Sequence, residues 1–424
     1  MDIAKLFTKR NIIIFLAITT TAILAIWAFY PKNTLVQDIS YTKMSLQYPL
    51  ATDTRASDGS IVFNNGRSFI AYNPDSGEVS QLTPETTLPT IGTMLMRPDS
   101  KGALFQTVSQ TFNDNLAPAL NERGIDLNQP YWWYIDFDSN SYTLITNPQN
   151  NQPVEFRQVA WIDNNSFVGS TSLETQTQIS IFSDLKTLKT QYNINGSISS
   201  FAVNDGKIIY QSNITISQSN LYTNNPTQIL DNVSTAVISP TGSWAFIYEP
   251  VSSEKVNTYI YNFDSKKKIL QSQSQEAYAS WAKDDQTIFV TYQGGSSEIT
   301  MKSINVETQK ETLYKSTELK IGMLSVPYAQ NANLFIATDF DSIYLASDSS
   351  SASKFKIPDN FKTITQGDTT IEYYPNQGYF IATTFGPDTQ ETRKMIADQL
   401  KASGVTPELV QINYIWQELR SSGN

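Results

Sequence analysis

A pattern of about 40 residues recurs between positions 45 and 357, and few folds are open to a chain built of such units. In each unit a short apolar strand runs into a polar turn and a second apolar strand follows. A third strand, another turn and a more polar fourth strand complete it. The first turn and second strand read ASDGSIVFN (56–64), MRPDSKGALFQ (96–106), WIDNNSFVG (161–169), VNDGKIIYQ (203–211), SPTGSWAFIY (239–248), AKDDQTIFVT (282–291) and YAQNANLFIAT (328–338). With Asp58, Asp99, Asp163, Asp205, Thr241, Asp284 and Asn331 as markers, most intervals lie near 36–46 residues. The long interval, from Asp99 to Asp163, holds an insertion at 109–130. Asp, Asn and Gly suit such turns because they tolerate left-handed backbone or cap it with a side-chain hydrogen bond. The strands after the turns, at 61–63, 208–210, 288–290 and 334–336, are apolar at consecutive positions, the mark of a strand covered on both faces. A lone four-stranded sheet cannot cover both of its faces, so the units must stack. A ring of them is a mainly β, seven-bladed β-propeller spanning 45–360. The runner-up, an array of two-sheet sandwiches, calls for cleaner alternation of apolar and polar residues.

On these residues the units resemble exported TolB-like, WD-type β-propeller repeats. The family's turn-and-strand motif is matched by Pro98-Asp99-Ser100-Lys101-Gly102 and Ser239-Pro240-Thr241-Gly242, and less fully by Ser57-Asp58-Gly59. Its second half is matched by Asp75-Ser76-Gly77 through Leu82-Thr83. The resemblance implies the fold over about 45–357 and leaves the role open, since such propellers serve as docking modules, lids, scaffolds and enzymes. The chain departs from TolB in placing its α/β segment after the propeller, so a role in envelope transport is not carried over. The family also resembles the propeller lids of prolyl oligopeptidases, but too few residues follow 360 to form the hydrolase half.

Residues 11–30 carry no charge and are flanked by Lys5, Lys9 and Arg10 before and Lys32 after. As a helix they cover about 30 Å, the thickness of a bilayer's hydrocarbon core. The basic cluster predicts a cytoplasmic tail at 1–10, a single-pass transmembrane helix at 11–30, a linker at 31–44 and an extracytoplasmic bulk. The alternative is a cleaved secretory signal, for which Ala28 offers the one tolerable cut.

The formal net charge is −10, which repels nucleic acid and removes it as a partner. The chain has no Cys and no His. Disulfides, thiolate nucleophiles, Ser-His-Asp catalysis and His-ligated metals are therefore excluded, and no cofactor is implied.

The segment 361–424 reads as a small α/β appendage of ββαβ order. A hairpin (361–374 and 378–385) turns at 375–378, a helix opens at Gly386-Pro387-Asp388 and ends at Gly404, and a strand runs over 409–415. Its Gln366-Gly367-Asp368 turn imitates a blade turn, so an eighth blade is the alternative.

Three groups of residues are candidates for function. Tyr131, Trp132, Trp133 and Tyr134, behind the insertion, supply either an aromatic anchor for a sugar or peptide or alternating burial between blades. Asp136, Asp138 and Asn140 open a D-x-D-x-N calcium loop, but Ser141 and Asn147 stand where Gly and Glu complete it. Asp284 with Asp285, and Asp339 with Asp341, are carboxylate pairs of the kind glycoside hydrolysis uses, and also ordinary turn residues. The expectation is a non-enzymatic binding or scaffold module for a protein or glycan partner. The alternative is a carboxylate-dependent glycosidase or lyase working in the propeller channel.

Overall fold

The computed structural model describes residues 35–417 apart from 47–50, 56, 87, 89–90, 109–128, 253–254, 274–276, 294–298, 316–322, 328–333, 340–341 and 348–349. The expected transmembrane segment 11–30 lies outside the described residues. Among those described, no helix is long and apolar enough to cross a membrane.

Seven sheets with four-stranded antiparallel cores form the blades among the described residues: blade 1 (52–81), blade 2 (91–144), blade 3 (158–195), blade 4 (198–230), blade 5 (235–273), blade 6 (277–315) and blade 7 (323–347 plus 40–44). Within blades 1 to 6 the four core strands follow chain order, and in blade 7 the strand 40–44 is added from the other end of the chain. First strands lie side by side between blades 1 and 2 and from blade 3 through blade 7. The apolar runs do what their lack of alternation requires. Ile61, Val62 and Phe63, like Ile288, Phe289 and Val290, are at most 1% exposed, because each blade has a neighbour on both faces.

The buried apolar side chains of the ring fall into seven clusters, and each cluster draws on two adjacent blades. Phe69 and Phe105 join blades 1 and 2. Trp132 and Phe167 join 2 and 3, and Ile181 and Ile208 join 3 and 4. Ile209 and Ile247 join 4 and 5, and Phe246 and Ile288 join 5 and 6. Phe289 and Ala346 join 6 and 7, and Leu345 joins 7 to Phe63 of blade 1. Seven blades with seven shared cores make a closed ring and rule out an array of separate sandwiches. Each large side chain so buried contributes about 1.5–3 kcal/mol.

Polar bonds add registration between inner strands. The Met96 amide donates to Asp53 Oδ2 at 2.6 Å, Trp161 Nε1 to the Leu95 carbonyl at 3.1 Å, and Trp281 Nε1 to the Val237 carbonyl at 2.8 Å. Lys283 of blade 6 pairs with Asp53 of blade 1 at 2.6 Å.

The segment expected to be a linker, 31–44, is corrected: part of it closes the ring. Ser40–Met44 is the outermost strand of blade 7, antiparallel to Ser342–Ser347 with Tyr41 opposite Ala346 and Met44 opposite Ile343. Just before it, Leu35–Asp38 lies parallel to Glu311–Lys315 on the outer edge of blade 6. The first strands among the described residues thus bind the last two blades. The gain is a ladder partner for Ser342–Ser347 and a core for Met44, which is 1% exposed.

The C-terminal segment is βββαβ and not ββαβ. The stretch expected as one strand over 361–374 is two, Ile364–Gln366 and Thr369–Tyr374, divided at Gly367, whose φ of 58° makes a tight turn. Tyr379–Phe385 follows, then the helix Gln390–Ala402 and the strand Ile412–Gln417. That last strand pairs parallel to Tyr379–Phe385, which no blade of the ring does among its own strands, so this sheet is not an eighth blade. The helix starts later than its proline implied: Thr389 is the N-cap, its hydroxyl accepting the Thr392 amide at 3.2 Å, with Pro387 outside. The unit packs against the seam of blades 7 and 1. Leu409 joins Met44, Phe63 and Phe355 in one cluster, and the Gln411 amide donates to the Ser45 carbonyl at 2.8 Å.

Candidate functional site

The turns joining first to second and third to fourth strands emerge on one face of the ring. On that face a cleft of ≈ 670 Å³ opens between blades 2 and 3. Its blade 2 wall begins with the turn after Ile91–Met96. Asp99 Oδ1 accepts the Lys101 amide at 3.0 Å, and Ser100 takes a φ of 64°. Arg97 Nε and Nη2 then grip both oxygens of Asp99, at 2.6 and 2.9 Å. Arg97 Nη1 donates to Tyr134 Oη at 2.5 Å, and that hydroxyl donates to Asp136 Oδ2 at 3.4 Å. Gly102 makes this packing possible, since a Cβ there would collide with the Ile135 carbonyl oxygen and meet Tyr134 Oη at 2.5 Å.

The blade 3 wall is set by Trp161, whose half-buried indole stands edge-on to the Tyr134 ring at 6.3 Å. Beyond it are the exposed turn residues Asn164 and Asn165, then the turn at 183–187. There Asp184 Oδ1 accepts the amides of Lys186 and Thr187 at 2.8 and 2.7 Å.

The electrostatics follow from these bonds. Burial pushes the Asp99 carboxyl up, but the Arg97 hydrogen bond and the Lys101 amide outweigh it and hold Asp99 below the usual carboxylate value. Burial opposes the Arg97 charge, yet the Asp99 bond and the nearby oxygens raise its pKa. The Ser139 amide holds Asp136 down, and the Lys186 amide holds Asp184 down. Burial pushes the Tyr134 phenol up to about 12, against the pull of Arg97.

The aromatic run behind the insertion is no exposed anchor. Tyr131, Trp132, Trp133 and Tyr134 are 6%, 1%, 2% and 4% exposed. Tyr131 and Trp133 face blade 1, and Trp132 and Tyr134 face blade 3, as alternation along a strand between two neighbours requires. Of the four, Tyr134 reaches the cleft. Most of the insertion, 109–128, lies outside the described residues. The D-x-D-x-N stretch, which lacks the Gly and Glu of a complete calcium loop, forms a hairpin turn. Asp136 is occupied by Ser139, whose hydroxyl and amide donate at 2.9 and 2.8 Å, and Asp138 pairs with Lys101 at 3.7 Å on the surface. Asn140 takes the left-handed position of the hairpin turn, φ 54°, and among the described residues no three acidic side chains converge on a metal-sized site.

Asp284 accepts the amides of Gln286 and Thr287, both at 3.0 Å, and the Thr287 hydroxyl. Asp285, buried, accepts the amide of Thr241 in blade 5 at 3.1 Å and also its hydroxyl. The two carboxylates therefore serve different turns. Asp339 ends the strand Leu334–Asp339, and Asp341 lies outside the described residues. Sequence reasoning missed Arg97, Trp161 and Asp184. A signal for Trp161 was present: it ends an inner strand just before a repeat turn, as Trp281 does.

The fold and this face define a closed seven-bladed β-propeller with a C-terminal α/β unit. No family model matches the sequence, and no curated protein does. Among solved structures the chain is similar to TolB from Acinetobacter baumannii, at 10% identity and TM-score 0.39, over 70% of this chain and 63% of that one. An oligogalacturonate lyase in complex with manganese is similar at 12% identity and TM-score 0.44, over 74% and 100%. The acylaminoacyl peptidase of Pyrococcus horikoshii is similar at 13% and 0.46, over 71% of this chain but 51% of that one. At such identities and scores the likeness says nothing of what this chain binds or does.

Proposed function

We propose that the chain is a membrane-anchored, extracytoplasmic binding or scaffold module that engages a protein or glycan partner and performs no chemistry on it. The observation that supports this is the employment of its carboxylates. Asp53, Asp99, Asp136, Asp184, Asp284 and Asp285 each accept a backbone amide of a turn or a neighbouring strand. A glycosidase needs one carboxyl held neutral and a second free to act. The carboxyls with a resolved shift here, Asp99, Asp136 and Asp184, are all displaced the other way, toward permanent charge.

The anchor reading has a geometric consequence. Leu35 begins the strand on the outer edge of blade 6, and Tyr30 ends the apolar run. Five residue steps of extended chain span at most about 18 Å. The rim at blades 6 and 7 would therefore stand next to the bilayer, with the cleft of blades 2 and 3 across the ring from it.

The test compares crosslinking capture from the native membrane with a polysaccharide turnover screen, both on the full-length chain. Stoichiometric capture without turnover is expected. Turnover abolished by a single Asp→Asn change on the ring would overturn the proposal.

A further inference from the structure

We infer that the cleft between blades 2 and 3 is a subsite for a neutral oligosaccharide. The inference rests on the binding-module reading and names the ligand of this face. Three features carry it. First, the cleft has the size of a ligand pocket, ≈ 670 Å³, and a fixed wall, because Arg97 is locked by two bonds to Asp99 and a third to Tyr134. Second, the Trp161 indole is held by its Nε1 bond to Leu95 and by the rings of Tyr134 and Phe167, at 6.3 and 5.9 Å. It is a rigid, half-buried aromatic surface at the cleft wall, of the kind the C–H face of a pyranose covers. Third, Asn164 and Asn165 stand exposed beside it, and their side-chain amides enter no hydrogen bond among the described residues.

An amide offers both donors and acceptors, which is what vicinal sugar hydroxyls ask for. Charge argues for a neutral sugar over an acidic one: Arg97 and Lys186 on the lining are balanced by Asp136 and Asp184, and Arg97 is already engaged by Asp99. A peptide would need an apolar pocket for an anchoring side chain, and Leu185 is the one aliphatic residue among the lining side chains.

The experiment is binding of the full-length chain, in detergent, to an array of neutral hexose and N-acetylhexosamine oligosaccharides, with oligogalacturonates as the acidic comparison. A neutral class is expected to bind. The Asn164→Ala/Asn165→Ala double variant should weaken it by about fivefold or more, the loss of two neutral hydrogen-bonding groups. Its unfolding transition should match the parent's, since both amides are free of internal bonds. An array without a neutral ligand, a preference for oligogalacturonate, or neutral binding untouched by the double variant would overturn the inference. Capture of a protein that the double variant abolishes would sink the sugar subsite but leave the binding-module reading standing. Turnover of a bound neutral oligosaccharide would do the reverse.

Discussion

Arg67 of blade 1 donates to the hydroxyl of Tyr414 in the last strand, at 3.2 Å, although the two are 347 positions apart. Arg67 is 3% exposed, and its guanidinium also donates to the Pro407 carbonyl at 2.8 Å and to Glu85 Oε1 at 2.7 Å. It is the polar core of the joint between ring and C-terminal unit. Arg67→Ala leaves those acceptors unpaired and should cost about 2–4 kcal/mol. Arg67→Lys should recover little, because an ammonium lacks the planar fork that reaches three acceptors. Denaturant unfolding checks the cost, and faster amide exchange in Ile412–Gln417 checks its location. Unchanged exchange there would show that Arg67 does not hold the joint.

Met44 tests how the ring is closed. It belongs to the first strand of blade 7 met along the chain and packs with Ile343 and Leu345 of that blade and Phe63 of blade 1. Met44→Ala should cost about 2–4 kcal/mol through the cavity it leaves. Ile181→Ala, at the core of blades 3 and 4, should cost a similar amount. The two should differ in place: local exchange in Ser342–Ser347 rises for Met44→Ala alone.

Much of the ring was legible because its signals are local. The Asp99, Asp163 and Asp284 turns form as their sequences imply, each carboxylate accepting an amide two residues on. The closing strand was not legible. Nothing within Ser40–Met44 tells it to pair with Ser342–Ser347 instead of continuing as linker, since register is decided by a partner some 300 positions away. The aromatic run Tyr131–Tyr134 posed a different ambiguity. A strand with a neighbour on both faces is apolar throughout, and in sequence that looks the same as an exposed aromatic patch. The cleft itself was partly visible in Tyr134 and Asp136, but its Trp161 wall depends on which blades become neighbours.

Gly102 couples stability to the cleft. A methyl there would press on the Ile135 carbonyl and Tyr134 Oη, both nearer than any ordinary contact. Gly102→Ala should cost about 1–3 kcal/mol and break the Arg97–Tyr134 bond. Gly206→Ala is the comparison, because a Cβ at Gly206 meets nothing within 4 Å and only its φ of 70° resists the change. Near-ultraviolet circular dichroism of the aromatic residues should change for Gly102→Ala and stay close to the parent's for Gly206→Ala.

Stability should fall at both ends of the pH scale for opposite reasons. Asp99, Asp136 and Asp184 have pKa values below the ordinary 3.8 in the folded chain. Their contribution is complete above that value and is lost as pH drops through the depressed folded values, so the denaturant midpoint should hold to about pH 5 and decline below about pH 4. Asp99→Asn should flatten that decline. At the alkaline end burial pushes Tyr134 and Tyr142 up from 10.0 to about 12. A raised phenol value means that the fold favours the neutral form. That stabilisation is intact below about pH 10 and is lost as pH climbs toward about 12. Absorbance near 295 nm should therefore show Tyr134 and Tyr142 ionising well above about pH 10, as the ring unfolds. One smooth transition at the ordinary tyrosine pKa in a still-folded chain would mean that these rings are not enclosed between blades.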